Sequence, residues 1–397
     1  MPEQQRTSGA MRDVLLIIVL LLGLIGSGWG VLTYFQTTLS SANLASESFA
    51  LSPAPKGVIS ADTLHQVTSL AQWSKDQTGK TAEQADQGVN SLAFSPDGIT
   101  LLSGSATGVA QVWQISGCGG LAKECATLLD TLPGEVEVDS VAFSPDGTTL
   151  AIAVSRVLTP GVWDDTVRVW RRADGVLLHR LEGPRVAVIS CGLFRNSVVF
   201  SPDGSLLASG SYDHAARLWR ASDGTLLHSF EGHAGAVLSL AFSPDGAVLA
   251  TASDDGTVKL WKVSTGELWQ TFPGYLGAAT SVAFSPDGTF VASGEATGMV
   301  RLWQVTDGKM LHTFEGQKNT VSNLDFSPDG TLLAAGSSTA DNSVNLWRVA
   351  DGVLLRTLKG HTARLNSVVF SPDGTLLASA AEDGVVRLWG LADPLNQ

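Results

Sequence analysis

Short runs of alternating apolar and polar residues, separated by turn residues, account for most of the chain. Val237–Phe242 alternates in this way and then meets Pro-Asp-Gly at 244–246, where the fixed φ of proline and the permissive glycine predict a turn. Three further segments continue the pattern: Val248–Ala252, Thr257–Trp261 and Leu268–Phe272. Because a period of two is typical of β-strands, this unit of 42 residues is expected to form four antiparallel strands.

The pentapeptide Phe-Ser-Pro-Asp-Gly marks seven such units. Its copies begin at residues 94, 143, 200, 242, 284, 326 and 370, and each is followed by a tryptophan: Trp113, Trp170, Trp219, Trp261, Trp303, Trp347 and Trp389. Four strands cannot bury both faces of their sheet alone, whereas sheets packed radially as blades bury them against each other. The repeat therefore predicts an all-β fold, a seven-bladed β-propeller of four-stranded antiparallel blades.

The pattern resembles the WD-repeat family, whose signature is Gly-His before the first strand and Trp-Asp after the third. The resemblance covers about residues 59–391. Gly-His stands only at 232–233 and 360–361, and none of the seven tryptophans is followed by Asp. The resemblance implies a protein that works by binding a protein or peptide partner, not by catalysis.

The same resemblance implies a structural hydrogen-bond chain of His, Ser or Thr, Asp and Trp within a blade. Two blades carry it in full: His233, Thr251, Asp255 and Trp261 in the fourth, and His361, Ser379, Asp383 and Trp389 in the seventh. Thr107 and Thr297 replace the Asp in the first and fifth blades. Those two blades are expected to rely on packing alone.

Closure of the ring needs a strand from the other end of the chain. The sequence ends eight residues after Trp389, which leaves no room for a fourth strand in the last blade. A strand-like stretch at 65–71 precedes the first repeat. As the family implies, we expect this stretch to complete the seventh blade and to remove an open edge.

An apolar run at 14–35 predicts a transmembrane helix. Its 22 residues carry no formal charge, and a helix of that length spans roughly 33 Å, enough for the hydrocarbon core of a bilayer. The alternative is a cleaved secretory signal, which normally has a shorter apolar region. Arg6 and Arg12 precede the run and Lys56 is the first basic residue after it. The positive-inside rule then predicts a cytoplasmic tail at 1–13 and an extracytoplasmic propeller at 59–397. The stretch at 36–58, between the helix and the propeller, is predicted to be a flexible linker.

Two insertions indicate where a partner could bind. The second blade gains eight residues around 156–163, and its connection to the third gains seven around 185–196. In a propeller both loop types lie on one face, so the insertions are expected to meet. They and the neighbouring turn offer residue types enriched at binding hot spots: Trp163, Arg185, Phe194, Arg195, Tyr212 and His214. The alternative is that the loops only pack on each other and bury Trp163 and Phe194.

Charge and cysteine content limit the partners, metals and cofactors that can be expected. A net charge of −13 without a basic run argues against a nucleic acid partner. No CxxC or zinc-type spacing occurs, so no metal and no cofactor is expected. Cys118 and Cys125 share one glycine-rich loop, where a disulfide and two free thiols both remain open. The alternatives to an interaction module are an extracytoplasmic hydrolase or small-ligand sensor that uses the central channel, and a purely structural envelope component.

Overall fold

The computed structural model describes residues 58–60, 62–74, 88–116, 126–132, 137–159, 162–182, 186–187, 197–274, 277–316, 319–337 and 341–391. Within these ranges the chain is built almost entirely of β-strands. They form seven sheets, so the predicted seven-bladed propeller of antiparallel blades is confirmed.

The strands follow one another blade by blade. A short 3-10 helix (Leu64–Gln66) leads into β1 (Val67–Ser74). The first blade contains β2 (Val89–Phe94), β3 (Thr100–Ser105), β4 (Ala110–Ile115) and β5 (Ala126–Leu132). The second contains β6 (Glu137–Phe143), β7 (Thr149–Thr159), β8 (Val162–Arg171), β9 (Leu177–Glu182) and the two-residue β10 (Val186–Ala187). The third contains β11 (Val198–Phe200), β12 (Leu206–Gly210), β13 (Ala216–Arg220) and β14 (Leu226–Phe230).

The remaining blades repeat the four-stranded pattern. The fourth contains β15 (Val237–Phe242), β16 (Val248–Ser253), β17 (Val258–Lys262) and β18 (Leu268–Phe272). The fifth contains β19 (Ala279–Phe284), β20 (Phe290–Glu295), β21 (Val300–Gln304) and β22 (Met310–Phe314). The sixth contains β23 (Val321–Phe326), β24 (Leu332–Ser337), β25 (Ser343–Arg348) and β26 (Leu354–Lys359). The seventh contains β27 (Leu365–Phe370), β28 (Leu376–Ala381) and β29 (Val385–Leu391), together with β1.

The repeated pentapeptide does two things at once. In the fourth blade Ser243 Oγ donates to Asp245 Oδ1 at 2.6 Å, and Gly246 adopts φ +70°, which closes the turn between the first two strands. A Cβ built on Gly246 would also lie 3.6 Å from Cδ of Pro202 in the preceding blade. The same Gly–Pro contact recurs at all seven turns. The pentapeptide therefore forms a turn within its own blade and also packs against the preceding blade.

The ring closes through β1. β1 pairs antiparallel with β29, with Val67 opposite Leu391 and Ser69 opposite Trp389. The first and last blades also touch directly, since Leu92 N donates to Ser367 Oγ at 3.2 Å. The N-terminal stretch is therefore the fourth strand of the seventh blade, as the sequence predicted.

The hydrophobic core lies between neighbouring blades. Trp113 of the first blade is buried and packs in one cluster with Ala378, Ala380 and Leu388 of the seventh. Corresponding clusters fill the gaps between other blades, for example with Trp303 against Leu260 and Phe272. Small alanines on the second strands let the sheets approach this closely.

The predicted tail, membrane helix and linker at 1–57 lie outside the described residues. Among the parts of the chain that the structure describes, no helix has the length and apolar character needed to cross a bilayer.

Candidate functional site

The second blade carries a hairpin that is longer than its counterparts. β7 and β8 have 11 and 10 residues, whereas β16 and β17 have six and five. The extra pairs run from Val154 opposite Thr166 to Thr159 opposite Val162. The first insertion therefore prolongs two paired strands.

The second insertion returns to this hairpin. β9 pairs with β8 along its regular part, and β10 then pairs with the prolonged part, with Val186 opposite Trp163 and Ala187 opposite Val162. Both strands use the edge of β8 that faces away from β7. The two insertions therefore meet, and β10 covers an edge that the longer hairpin would otherwise leave open.

The six residues predicted to bind a partner differ in how far the structure describes them. Trp163 lies on β8, and Tyr212 and His214 lie on the turn between β12 and β13. The other three lie outside the described residues: Arg185, Phe194 and Arg195. β7, β9 and β12 all end at the same end of the blades, where β8, β11 and β13 begin, and we name this end the insertion face.

A small apolar cluster joins three blades on the insertion face. Tyr212 and Ala296 pack against the buried side chains of Ala236, Leu238 and Ala278. Tyr212 itself is half-buried, so part of its ring stays at the surface. Sequence reasoning singled out Tyr212 but missed the cluster beneath it.

Leu238 is the residue that makes this patch apolar. At the matching position of the first blade, Asn90 Nδ2 donates to the carbonyl of Val138 at 3.0 Å. In the seventh blade, Asn366 Nδ2 donates to the carbonyl of Val89 at 3.0 Å. These amides tie one blade to the next, and Leu238 has no polar atom with which to do so. Comparing the repeats position by position could have found it.

His214 adopts a backbone conformation that favours glycine. Its φ is +71°, and the matching positions of the fourth and seventh blades are Gly256 at +81° and Gly384 at +71°. A left-handed conformation costs an ordinary L-residue about 1–2 kcal/mol. His214 is exposed, so core packing does not repay this cost. An exposed residue that is held in a strained backbone conformation points to a functional role.

The hydrogen-bond chain of the fourth blade runs from the surface into the core. His233 Nδ1 lies 2.9 Å from Asp255 Oδ2 and His233 Nε2 lies 2.7 Å from Thr251 Oγ1. Trp261 Nε1 donates to the same hydroxyl at 2.9 Å. The seventh blade repeats the arrangement with distances of 3.0, 2.8 and 2.9 Å between His361, Asp383, Ser379 and Trp389. These residues connect the strands of their own blade, and they do not come together to form a ligand-binding site.

The electrostatics of this chain agree with a structural role. Burial lowers the pKa of His233, although Asp255 acts in the opposite direction. Burial acts to raise the pKa of Asp255, but hydrogen bonds from Thr257, Ala234 and His233 outweigh it and lower that pKa to about 2. A neutral imidazole therefore lies beside an ionised carboxylate at neutral pH.

The first and fifth blades keep part of the chain. Trp113 Nε1 donates to Ser103 Oγ at 2.9 Å, and Trp303 Nε1 donates to Ser293 Oγ at 2.8 Å. The prediction that these blades rely on packing alone is therefore wrong. The threonines in the Asp position remove the outer half of the chain only, because the serine on the second strand still accepts the indole hydrogen.

Arginines supply a substitute where Gly-His is missing. In the third blade Arg217 forms an ion pair with Asp213, and in the fifth blade Arg301 pairs with Glu295. Both arginines stand two residues before the blade tryptophan, and both are buried. In the third blade the long side chain from the third strand reaches the carboxylate at the Asp255 position, whereas in the fifth blade Glu295 stands two residues earlier, at the position of Ser253.

The second and sixth blades have no hydroxyl beneath their tryptophans. Ala335 stands opposite Asn345 in the sixth blade, and there Trp347 Nε1 donates instead to the carbonyl of Glu315 at 2.9 Å. In the second blade Ile152 takes this position, and Trp170 Nε1 finds no acceptor among the described residues.

Catalytic and metal chemistry have little support among the described residues. No group of three or more His, Cys, Asp or Glu side chains there is close enough to bind a metal ion. Three of the seven histidines lie on the fourth strands of separate blades: His179, His228 and His312. Cys118 and Cys125 lie outside the described residues, so both states of this pair stay open.

The central channel contains a cavity of about 490 Å³. Of the described residues that line it, Asp325 is the only one with an ionisable side chain. Its Oδ2 accepts a hydrogen bond from Phe370 N at 2.7 Å, across the boundary between the sixth and seventh blades. Burial raises the pKa of Asp325 from 3.8 to about 7, although backbone hydrogen bonds from Phe370 and Phe326 act against this. Sequence reasoning missed Asp325.

The closed ring of seven antiparallel blades, with hydrogen-bond chains from His to a buried Trp in the fourth and seventh, defines the chain as a β-propeller. The family model for "WD domain, G-beta repeat" matches the chain seven times, at 79–114, 126–171, 175–220, 224–262, 266–304, 308–348 and 352–390. The chain belongs to this family, whose propellers generally mediate protein–protein interactions and are typically not catalysts. In a comparison with curated proteins, none is similar enough to count as a relative.

Proposed function

We propose that this chain is a membrane-anchored interaction protein whose propeller binds a protein or peptide partner on the insertion face. The observation that carries the proposal is the prolonged β7–β8 hairpin, which β10 pairs along its outer edge. Pairing with β10 supports the β8 edge of this hairpin, whereas β6 pairs with β7 only as far as Ser155. A surface element that is stiffened in this way loses less entropy when it binds a partner.

The turn at 212–214 supports the same face. It presents the half-buried ring of Tyr212 and the strained, exposed His214 next to an apolar patch. Aromatic residues that surround a small apolar centre are enriched at protein interfaces. The centre of the patch is buried, and Tyr212 and Ala296 are its half-buried members. The expected partner therefore offers an apolar or aromatic residue to the ring of Tyr212.

Anchoring is proposed from the sequence. The uncharged run at 14–35 is long enough for a bilayer, and the arginines at 6 and 12 favour a cytoplasmic N-terminus. The linker at 36–58 would then let an extracytoplasmic propeller reach its partner close to the membrane. A chain that lacks residues 1–35 is expected to leave the membrane fraction; recovery of both chains in the soluble fraction would exclude the anchor.

The partner site is tested by proximity labelling from the intact chain in its own membrane. Replacement of Trp163, Arg195 or Tyr212 by alanine is expected to reduce labelling of the specific neighbour at least about tenfold, the usual effect of a hot-spot residue. The melting temperature of each purified variant should stay within about 2 °C of the wild type.

The matched controls are Leu226→Ala and Leu268→Ala. Both leucines are exposed, and both begin the fourth strand of a blade, at the end opposite the insertion face. The controls should keep full labelling. A variant at Trp163 that melts several degrees lower and labels in proportion to its folded fraction would instead support loops that only pack on each other. Unchanged labelling in all three variants would reject the proposed face.

A further inference from the structure

Two positions of each first strand, three residues and one residue before the pentapeptide phenylalanine, form two rings of side chains, and most members of both rings line the channel cavity. The first is a hydroxyl ring with serine in six blades and Asn323 in the sixth: Ser91, Ser140, Ser197, Ser239, Ser281 and Ser367. Most of its members accept a backbone N–H from the next blade, for example Ser91 Oγ from Val141 N at 3.2 Å and Asn323 Oδ1 from Val368 N at 3.0 Å. A hydroxyl that accepts one hydrogen bond still has its own hydrogen to donate. This ring is therefore both a set of inter-blade contacts and a polar band around the channel.

The second ring is small and apolar in all blades except one. Its members are Ala93, Ala142, Val199, Ala241, Ala283 and Val369, with Asp325 in the sixth blade. Asp325 places a single carboxyl group on an otherwise uncharged wall. Because alanine or valine is sufficient for the propeller at six equivalent positions, the fold itself does not require a carboxylate here.

Among the described residues that line the cavity, no positive group balances this carboxylate. The other described residues that line it are apolar residues, serines, prolines and Asn323. The raised pKa of Asp325 is due to burial, and no neighbouring charge contributes to it. A desolvated carboxylate without a counter-ion gains strongly from a cation brought within about 4 Å.

We propose that the channel is a binding site for a small organic monocation, with Asp325 as the counter-ion of a ligand ammonium or guanidinium group. The cavity volume of about 490 Å³ lies in the range of small-molecule sites. The hydroxyl ring would face the polar end of the ligand. Ala241, Ala283 and Phe284 would face an apolar part. A second positive charge would meet only uncharged walls, so a dication should bind less well. This site is independent of the partner surface on the insertion face.

The probe is n-butylammonium, titrated by ligand-observed NMR into the full chain in detergent, with 1-butanol as the neutral molecule of the same shape. Saturable binding of one n-butylammonium per chain is expected at pH 8. The affinity should fall at least about tenfold in Asp325→Asn and in Asp325→Ala, because the charge pair is lost. Asp130→Asn, which removes an exposed carboxylate from the outer strand β5, should bind like the wild type.

The pH dependence follows from the pKa of Asp325 at about 7. The carboxylate is about nine-tenths ionised at pH 8 and only about a tenth ionised at pH 6, so wild-type affinity should fall roughly tenfold between these values. Binding to Asp325→Asn and binding of 1-butanol should not change with pH in this range.

Two features keep the test decisive. Asp325→Ala installs the residue of four other blades, and Asp325→Asn keeps an oxygen that can accept from Phe370 N, so each variant checks the folding of the other. Equal binding to wild type and Asp325→Ala, or no saturable binding up to about 100 mM, would overturn the proposal. Either result would leave Asp325 as a contact between the sixth and seventh blades only.

Discussion

Replacement of Ile59 and Leu64 together by alanine should cost most of the stability of the propeller. Both side chains are buried, at 0% and 2% exposure, and they pack with Leu365, Leu377 and Trp389 of the seventh blade. Each substitution is expected to cost about 2–5 kcal/mol, against a total of about 5–15 kcal/mol for a typical native protein. The expected result is a large fall in the free energy of unfolding, measured by urea denaturation.

The matched control changes two exposed residues of the same segment. Asp62 and Thr68 lie at the surface, so the pair Asp62→Ala and Thr68→Ala should shift the free energy of unfolding by less than about 1 kcal/mol. Similar losses in both pairs would mean that the segment at 59–68 does not act through its buried side chains. No loss in either pair would mean that the ring is stable without the side chains of the segment at 59–68.

Replacement of Thr251 by valine should have the second largest effect. The Thr251 hydroxyl is fully buried, accepts from Trp261 Nε1 and lies 2.7 Å from His233 Nε2. Valine keeps the shape but leaves two buried polar atoms without a partner, each at a cost of about 1–3 kcal/mol. We expect a loss of about 4 kcal/mol in the free energy of unfolding.

Ser293→Ala provides the comparison, because Ser293 Oγ accepts from Trp303 Nε1 in a blade without the histidine. Only one buried group loses its partner there, so the expected loss is about 2 kcal/mol. Equal losses at both positions would show that the His233–Asp255 half of the chain contributes nothing to stability.

Local chemistry explains why most of the fold could be predicted from the sequence. The alternation in Val237–Phe242 and the turn at 244–246 act within a few residues, and the observed strands β15 to β18 begin and end within one residue of the predicted ones. Repetition then fixes the architecture, because a unit that cannot bury its own faces must pack against copies of itself.

The features that were missed depend on contacts that the sequence of a single repeat does not show. The contact between the pentapeptide glycine and a proline of the preceding blade cannot be seen within one repeat. The ion pair of Arg217 with Asp213 replaces a histidine by a residue from a different strand, so no signature predicts it. Leu238 and Asp325 are exceptions among the matching positions of the seven repeats, and they stand out only when the repeats are compared position by position.

The candidate site was predictable in outline only. The lengths of the two insertions showed that they would meet, since both lie at one end of the blade. That they pair as strands could not be predicted, because Val186 and Ala187 form only a two-residue segment with no alternation to read. The strain at His214 likewise depends on a backbone angle that its neighbours in sequence do not determine.

β1 closes the ring on the last blade, and a cross-link between cysteines tests this closure most directly. In a chain with its three cysteines replaced by serine, Gln72→Cys and Arg387→Cys place thiols on directly paired residues of β1 and β29, where a disulfide can form. Gln72→Cys with Lys259→Cys is the control, because Lys259 holds the matching position of the fourth blade. After mild oxidation, mass spectrometry should find 72 joined to 387 within one chain and the control pair still reduced. A 72–387 pair that stays reduced, or that joins two chains, would contradict the closed propeller.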